Sequence, residues 1–163
     1  MRIALVGAGG MGTCHYMNYR HIEGAQVVAL VGRGERDRAH AEQWGLPLYT
    51  CVDEANRREQ IDLFDVCVPT YLHKAIVLEA LACKKPVICE KPIALHRKDA
   101  QEMFDAVKER APQMDIIIKA AAVADYTPVS VSDEKIKKKD GDLSLPMRRT
   151  TDILAYLGEH RKP

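Results

Sequence analysis

The chain opens with an apolar run that leads directly into a glycine-rich turn. Residues 3–6 are apolar, and Gly7, Gly9 and Gly12 follow at the spacing G-x-G-x-x-G. A segment of helical composition comes next, which is the strand–turn–helix context that a dinucleotide-binding fingerprint requires. In that fingerprint the first glycine permits the turn, the second lets the backbone approach a pyrophosphate, and the third lets helix and strand pack closely. The sequence therefore predicts a nucleotide site; a glycine-rich turn without a ligand is the alternative.

The composition is that of an ordinary globular protein. The chain has 163 residues, 47% of them hydrophobic, and a formal net charge of +1, which gives no indication of a nucleic-acid or membrane partner. Its longest apolar runs are too short to cross a bilayer, and its first residues do not fit a signal peptide. The five cysteines are scattered without C-x-x-C spacing, which is typical of reduced thiols. These features predict a cytoplasmic protein.

Apolar and helix-like segments alternate along residues 1–122. Most of the strand-like segments are continuous apolar runs, as in a parallel sheet that helices cover on both faces. We therefore predict an α/β fold with a doubly wound, Rossmann-like parallel sheet of six strands in the order 3-2-1-4-5-6. The predicted strands are residues 3–6, 26–31, 46–50, 63–68, 87–89 and 115–122, and the predicted helices are residues 11–22, 35–44, 52–60, 71–83 and 98–111.

The character of the sequence changes after residue 126. Residues 127–142 are polar and rich in lysine, with a turn signal at Asp140-Gly141 between short alternating apolar stretches. This pattern predicts a projecting β-hairpin or flap over residues 127–149. A short helix over residues 152–157 is expected next, capped by Thr150 or Thr151 and ended by Gly158.

Three motifs in the first part of the chain occur together in one known family. They are the glycine turn with His15, the segment Val68-Pro-Thr-Tyr-Leu-His73, and the tripeptide Glu90-Lys91-Pro92. Residues 1–97 resemble the nucleotide-binding domain of the Gfo/Idh/MocA oxidoreductases. The resemblance implies that a nicotinamide dinucleotide lies across the crevice at the carboxyl ends of the strands.

The same resemblance implies a set of site residues. Lys91 is the candidate catalytic residue, near the nicotinamide and the substrate, because a partly dehydrated lysine can polarise or protonate a carbonyl. A solvated lysine at a strand end is the alternative. No metal ligands are expected. The candidate cofactor-binding residues all lie where strands end: Gly7, Gly9, Gly10, Met11, Gly12, Arg33, Pro69, Thr70, His73, Glu90 and Lys91.

Two departures from the family pattern bear on function. The acidic residue that holds the ribose 2′-hydroxyl is expected near position 32, about 20 residues after the last glycine. Gly32 stands there instead, followed by Arg33, which favours NADP over NAD. Family members also continue into a substrate domain of substantial length, and the short remainder after residue 122 is not expected to supply one.

From about residue 98 the sequence resembles a different family. The segments Ala120-Ala-Ala-Val-Ala-Asp-Tyr126, Lys135-Ile-Lys-Lys138 and Thr151-Asp-Ile-Leu154 resemble phosphopantothenoylcysteine synthetase, a ligase of coenzyme A biosynthesis. The resemblance implies that the first segment borders a substrate site. It also implies that Lys135, in a mobile flap, assists formation of an acyl-nucleotide intermediate. Because the flanking ligase segments are absent, we interpret the lysine run as a solvated hairpin.

We interpret the chain as a chimera of the two families, joined near residues 98–100, with an engineered recombinant preferred to a natural fusion. Residues 1–163 are predicted to form one domain, with an oxidoreductase-like part (1–97) and a ligase-like part (98–163). The predicted function is binding of NADP or NAD without turnover. The alternatives are a dehydrogenase completed by another chain, a structural chimera without ligand, and a vestigial ligase fragment. The exposed flap favours a homodimer.

Overall fold

Five apolar segments pair as a parallel sheet in the structure of this chain, a computed structural model that describes residues 1–121, 124–130, 132, 141 and 143–160. The sheet has the order β3-β2-β1-β4-β5 and includes the strand that precedes the glycine turn. The predicted Rossmann-like order is therefore confirmed for its first five strands. The strands are β1 (Arg2–Val6), β2 (Gln26–Val31), β3 (Leu48–Tyr49), β4 (Leu63–Val66) and β5 (Val87–Cys89).

Helices pack against both faces of this sheet, which explains why its strands are apolar throughout. On one face, Leu5 and Leu30 pack in a core with Tyr16 and Trp44. On the other face, a second core includes Val77 and further apolar side chains. Within the described ranges no helix is long and apolar enough for a bilayer span. The helices are α1 (Gly10–Tyr19), α2 (Glu35–Trp44), α3 (Val52–Arg58), α4 (His73–Ala82) and α5 (Arg97–Arg110).

The predicted sixth strand, residues 115–122, is wrong over the part that the structure describes. Residues 115–121 form no strand, and the side chains of Ile116 and Ile118 are 78% and 86% exposed. An apolar run becomes a strand only where a neighbouring strand offers hydrogen-bond partners and side-chain contacts. The described sheet thus has five strands in the order 3-2-1-4-5, not six.

The first turns of α5 pack on the sheet. Met103 is buried in the core that also contains Val77. In α4, Lys74 Nζ lies 2.5 Å from Asp99 Oδ1 and 3.1 Å from Glu102 Oε2. The predicted junction near residues 98–100 therefore lies inside a helix that is tied to the sheet on its amino-terminal side.

The chain divides into two compact units, Met1–Val107 and Lys108–Pro163. In the second unit β6 (Tyr126–Pro128) pairs antiparallel with β7 (Met147–Arg149), and α6 spans Ile153–Glu159. The lysine run at residues 135–139 and Asp140 of the predicted turn lie outside the described residues. The flap over residues 127–149 and the single domain over residues 1–163 stay predictions.

The cap of α6 differs from the expected one. Asp152 is the N-cap residue, and its Oδ1 accepts a hydrogen bond from Ala155 N at 2.9 Å. Thr150 instead donates its hydroxyl to the Ala124 carbonyl oxygen. The predicted cap at Thr150 or Thr151 is therefore wrong, because a carboxylate one residue nearer the helix reaches its free amide.

Substitution of Gly12 by alanine should destabilise the first unit. A Cβ at Gly12 would lie 2.0 Å from the Gly7 carbonyl oxygen, so α1 must shift away from the turn. We expect Gly12→Ala to lower the free energy of unfolding by about 1–3 kcal/mol, the usual cost of overpacking. Urea unfolding followed by the fluorescence of Trp44, the single tryptophan, measures this change.

The matched control is Gly10→Ala in the same turn. A Cβ there meets no heavy atom within 4 Å, so stability should be unchanged or higher by roughly 0.5–1 kcal/mol. Equal stability of the two variants would contradict the close packing of α1 on the turn.

Candidate functional site

Two of the three fingerprint glycines are required by packing within the protein. Gly7 has a positive φ of 89°, and a Cβ on it would lie 3.0 Å from Val68 Cγ1. Its amide donates to the Val31 carbonyl oxygen at 2.9 Å, which joins the turn to the end of β2. Gly12 meets the Gly7 carbonyl, as described above. The turn and the start of α1 are thus held in one position.

The glycine between them faces open space. A Cβ on Gly9 or on Gly10 would meet no heavy atom within 4 Å. Gly9 is the extended N-cap residue of α1 and brings no side-chain cap. In the part of the chain that the structure describes, the amides of Gly10 and Met11 have no hydrogen-bond partner. Free amides at a helix N-terminus attract anionic groups such as phosphates.

Asp37 connects the glycine turn to the next helix. Its Oδ1 accepts from Ala8 N and its Oδ2 accepts from Gly34 N, each at 2.9 Å. The second bond caps α2, since Asp37 stands in the first turn of that helix. An acid three residues after an N-cap position is a sequence signal for the bond to Gly34. The bond to Ala8 spans 29 residues, and no sequence signal indicates it.

Arg33 follows the end of β2, at the same carboxyl edge of the sheet as the glycine turn. Its side chain is exposed, and its Nε donates to the Thr50 carbonyl oxygen at 2.9 Å. Among the described residues, no carboxylate forms an ion pair with it. The guanidinium is therefore anchored by one nitrogen while its charge is not neutralised by a described acid.

The predicted residues after β4 divide into exposed and buried groups. Pro69 is exposed and Thr70 is half-buried at the start of a short 3₁₀ turn. His73, in contrast, is 1% exposed. Its Nδ1 lies 2.9 Å from the Pro92 carbonyl oxygen, and its Nε2 lies 2.9 Å from that of Val68. These bonds tie the ends of β4 and β5 together and argue against direct contact between the His73 ring nitrogens and a cofactor.

Glu90 and Lys91 follow the end of β5. Lys91 is exposed, and a cis peptide bond joins it to Pro92. The partial dehydration expected for this lysine is therefore absent in the structure. Glu90 is half-buried, and its Oε1 lies 3.2 Å from His15 Nε2. Glu90 is thus directed towards α1 and the glycine turn.

A buried polar cluster lies beneath this part of the site. Asp65 is completely buried in β4. Its Oδ2 lies 2.8 Å from His15 Nδ1 and accepts a hydrogen bond from the Tyr19 hydroxyl at 2.9 Å. His15 therefore bridges two carboxylates, Asp65 in the core and Glu90 at the site. Nothing in the apolar pattern of β4 marked Asp65, because its partners come from a helix almost fifty residues earlier.

Tyr19 and Cys67 enter this cluster with their protons retained. Burial raises the pKa of the Tyr19 hydroxyl and of the Cys67 thiol, and the nearby charge of Asp65 raises both further. Ligand atoms of His15, Asp65 and Cys67 lie within 4.8 Å of one another. The hydrogen bonds that His15 and Cys67 make within the cluster account for this closeness.

Removal of the Asp65 carboxylate should strongly destabilise the first unit. The change leaves the His15 ring and the Tyr19 hydroxyl without their shared acceptor, and a buried polar group left without its partner typically costs about 1–3 kcal/mol. We expect Asp65→Ala to lose at least about 1–3 kcal/mol in urea unfolding, with Asp65→Asn losing less. Asp62→Asn is the matched control: Asp62 is exposed and accepts from Arg2 N. Stability of Asp65→Ala equal to that of the control would contradict the role of the cluster.

The thiol of Cys89 should make the protein less stable at alkaline pH. Burial raises its pKa to about 12, and the charges of Glu90 and Asp65 add to the effect. A free thiol titrates near pH 8.5. Between these values the unfolded chain has lost the proton and the folded chain keeps it, so the free energy of unfolding falls as the pH rises. Below about pH 8.5 the thiol keeps its proton in both states, and this loss of stability is absent.

Urea unfolding between pH 8 and pH 10.5 tests this pH dependence. Cys89→Ala should show a shallower loss of stability than the unchanged chain. Cys14→Ala, at an exposed thiol, should leave the slope unaltered. Parallel curves for the unchanged chain and Cys89→Ala would refute the prediction.

Two family models match different parts of the chain. The Gfo/Idh/MocA model, described as "Oxidoreductase family, NAD-binding Rossmann fold", matches residues 1–116. A model described as "DNA/pantothenate metabolism flavoprotein C-terminal domain" matches residues 84–163. The predicted resemblance of the two parts to two families is confirmed. The matches overlap over residues 84–116, which include the predicted junction.

Known relatives follow the same division. An inositol 2-dehydrogenase of Arthrobacter is 34% identical over 110 residues, which are 65% of this chain and 32% of that protein. The coenzyme A biosynthesis bifunctional protein CoaBC of Bacillus subtilis is 44% identical over 81 residues, 47% of this chain and 20% of that protein. The chain therefore spans a third or less of the length of these relatives.

A solved structure supports the fold of the first part. It is an oxidoreductase from Agrobacterium radiobacter in complex with NAD⁺, L-tartaric acid and magnesium, with a TM-score of 0.61 and 25% identity. The match covers 67% of this chain and 33% of that one. The Gfo/Idh/MocA model covers well over half of the sequence, including the glycine turn and the strand-end motifs. This chain therefore belongs to the oxidoreductase family with an NAD-binding Rossmann fold.

Proposed function

We propose that this chain binds a nicotinamide dinucleotide at the glycine turn without turning over a substrate by itself. One observation carries the proposal: Gly9 and Gly10 face open space, whereas Gly7 and Gly12 are required by packing. Two glycines thus serve the fold, and the other two leave room above a helix N-terminus. Room and free amides at this position suit a pyrophosphate.

The remaining strand ends supply the other contacts in this proposal. The amides of Gly10 and Met11 face the pyrophosphate, while Pro69 and Thr70 border the cofactor path beyond β4. Glu90 and Lys91, at the end of β5, lie at the nicotinamide end, and Lys91 is the candidate catalytic residue. His73 contributes by holding Val68 and Pro92 in place rather than by touching the cofactor.

The absence of turnover is proposed from the nature of the second part of the chain, which resembles CoaBC and not a dehydrogenase. We further propose that the chain is a recombinant of the two families joined near residues 98–100, in agreement with the overlap of the two family models. A dehydrogenase completed by another chain, a ligand-free structural chimera and a ligase fragment remain the alternatives.

Compartment, assembly and cofactor preference are further parts of the proposal. The five cysteines are free, which agrees with a reducing compartment such as the cytoplasm. The exposed apolar side chains of Val129, Leu143 and Leu145 support a homodimer through the flap region, which light scattering tests. The preference for NADP expected from Gly32 and Arg33 in the sequence is the alternative to the NAD selectivity that is argued below from Asp37.

Blocking the open space above the turn should weaken binding without unfolding the protein. In Gly9→Val the added side chain meets no protein atom at its Cβ but occupies the space proposed for the pyrophosphate. We expect affinity for NADH to fall at least tenfold, measured by calorimetry, with only the small fall in melting temperature that exchanging a glycine N-cap for valine brings. The control Gly158→Ala, at an open position in α6, should bind normally.

Two results would overturn the proposal. Undiminished NADH binding by Gly9→Val would place the cofactor elsewhere. Failure of the unchanged chain to bind NAD(H) or NADP(H) at millimolar concentration would favour the ligand-free alternative.

A further inference from the structure

The region at the end of β2 carries a carboxylate that the sequence spacing did not reveal. In dinucleotide-binding folds an acid about 20 residues after the glycines accepts hydrogen bonds from the adenosine ribose. Here that position is Gly32, and the next residue is Arg33. On spacing alone the ribose acid is missing.

In the structure the side chain of Asp37 fills the space beside Gly32. A Cβ built on Gly32 would lie 2.3 Å from Asp37 Cγ and 2.4 Å from Asp37 Oδ2. These distances are so short that a side chain at position 32 and the Asp37 carboxylate exclude each other. The carboxylate therefore stands where the first atoms of an acid at position 32 would stand.

The Asp37 carboxylate is also held in a fixed orientation. Ala8 N donates to Oδ1 and Gly34 N donates to Oδ2, each at 2.9 Å. The first of these bonds joins it to the glycine turn that is proposed to hold the pyrophosphate. A carboxylate offers about four acceptor positions, so two remain for hydroxyl groups of a ligand.

We propose that Asp37 takes the place of the missing ribose acid and makes this chain selective for NAD over NADP. Its free acceptor positions suit the ribose hydroxyls of NAD. A 2′-phosphate would bring up to about two negative charges next to this carboxylate, and like charges brought together reject the wrong ligand. The inference rests on the proposed dinucleotide site.

Arg33, the cation at the end of β2, is bonded away from the glycine turn. Its Nε is engaged with the Thr50 carbonyl oxygen, which holds the guanidinium towards the segment that follows β3. Asp37, by contrast, is bonded directly to the glycine turn. The acid is therefore the charged group tied to the turn itself, and at the ribose its charge must outweigh the charge of Arg33, which no described acid neutralises.

Paired calorimetric titrations with NAD and NADP test the inference. We expect the unchanged chain to bind NAD at least tenfold more tightly than NADP. Asp37→Asn should lower that ratio at least tenfold, because the amide presents a donor and no charge to the ligand. The control Asp62→Asn, which removes a carboxylate bonded to the backbone amide of Arg2, should keep the ratio.

A rescue variant separates ligand recognition from stability. Gly32→Asp combined with Asp37→Ala moves the carboxylate to the position that it occupies in the family pattern, and the NAD preference should return. Asp37→Ala alone should not show the NAD preference.

Each remaining outcome decides between the two proposals. Tighter binding of NADP by the unchanged chain, or an unaltered ratio in Asp37→Asn, would overturn the role of Asp37 and leave the dinucleotide site intact. Lack of binding of either dinucleotide by the unchanged chain would overturn the proposed site, and with it the basis of this inference.

Discussion

The contact between Gly12 and the carbonyl of Gly7 determines the arrangement of the first unit. Only a residue without Cβ lets α1 begin so close to the end of β1, and this closeness directs the first amides of α1 over the carboxyl edge of the sheet. Because the strands are parallel, β2, β4 and β5 deliver Arg33, Thr70 and Lys91 to that same edge. The proposed chemistry therefore depends on one steric constraint near the start of the chain.

The features that could be predicted from the sequence are those that depend on neighbours in sequence. Continuous apolar runs and glycine spacing were enough for the five-strand order. Asp37 and Asp65 were missed because their partners, Ala8 and His15, lie 29 and 50 residues away, and a pattern of residue types does not record which distant groups meet. Ile116 and Ile118 show the reverse case: a strong local pattern produced no strand because β-structure requires a partner.

The two family resemblances meet in α5, where the structure gives a physical reason for their compatibility. Met103 lies in the core and Asp99 and Glu102 pair with Lys74, so the helix meets the two needs of any helix that covers a parallel sheet. It buries an apolar stripe and satisfies its charges at the margin. Many sequences meet these needs, which is why two α/β families can share a helix at their junction.

The short strand β5 has a consequence for how this chain behaves at high concentration. It is the last strand in the sheet order, and among the described strands none pairs with its outer side. An open edge of this kind can recruit another chain by backbone pairing. Here the edge is only three residues long, and charged residues flank it on both sides: Lys84, Lys85, Glu90 and Lys91. Brevity and charge together protect the sheet from edge-to-edge aggregation.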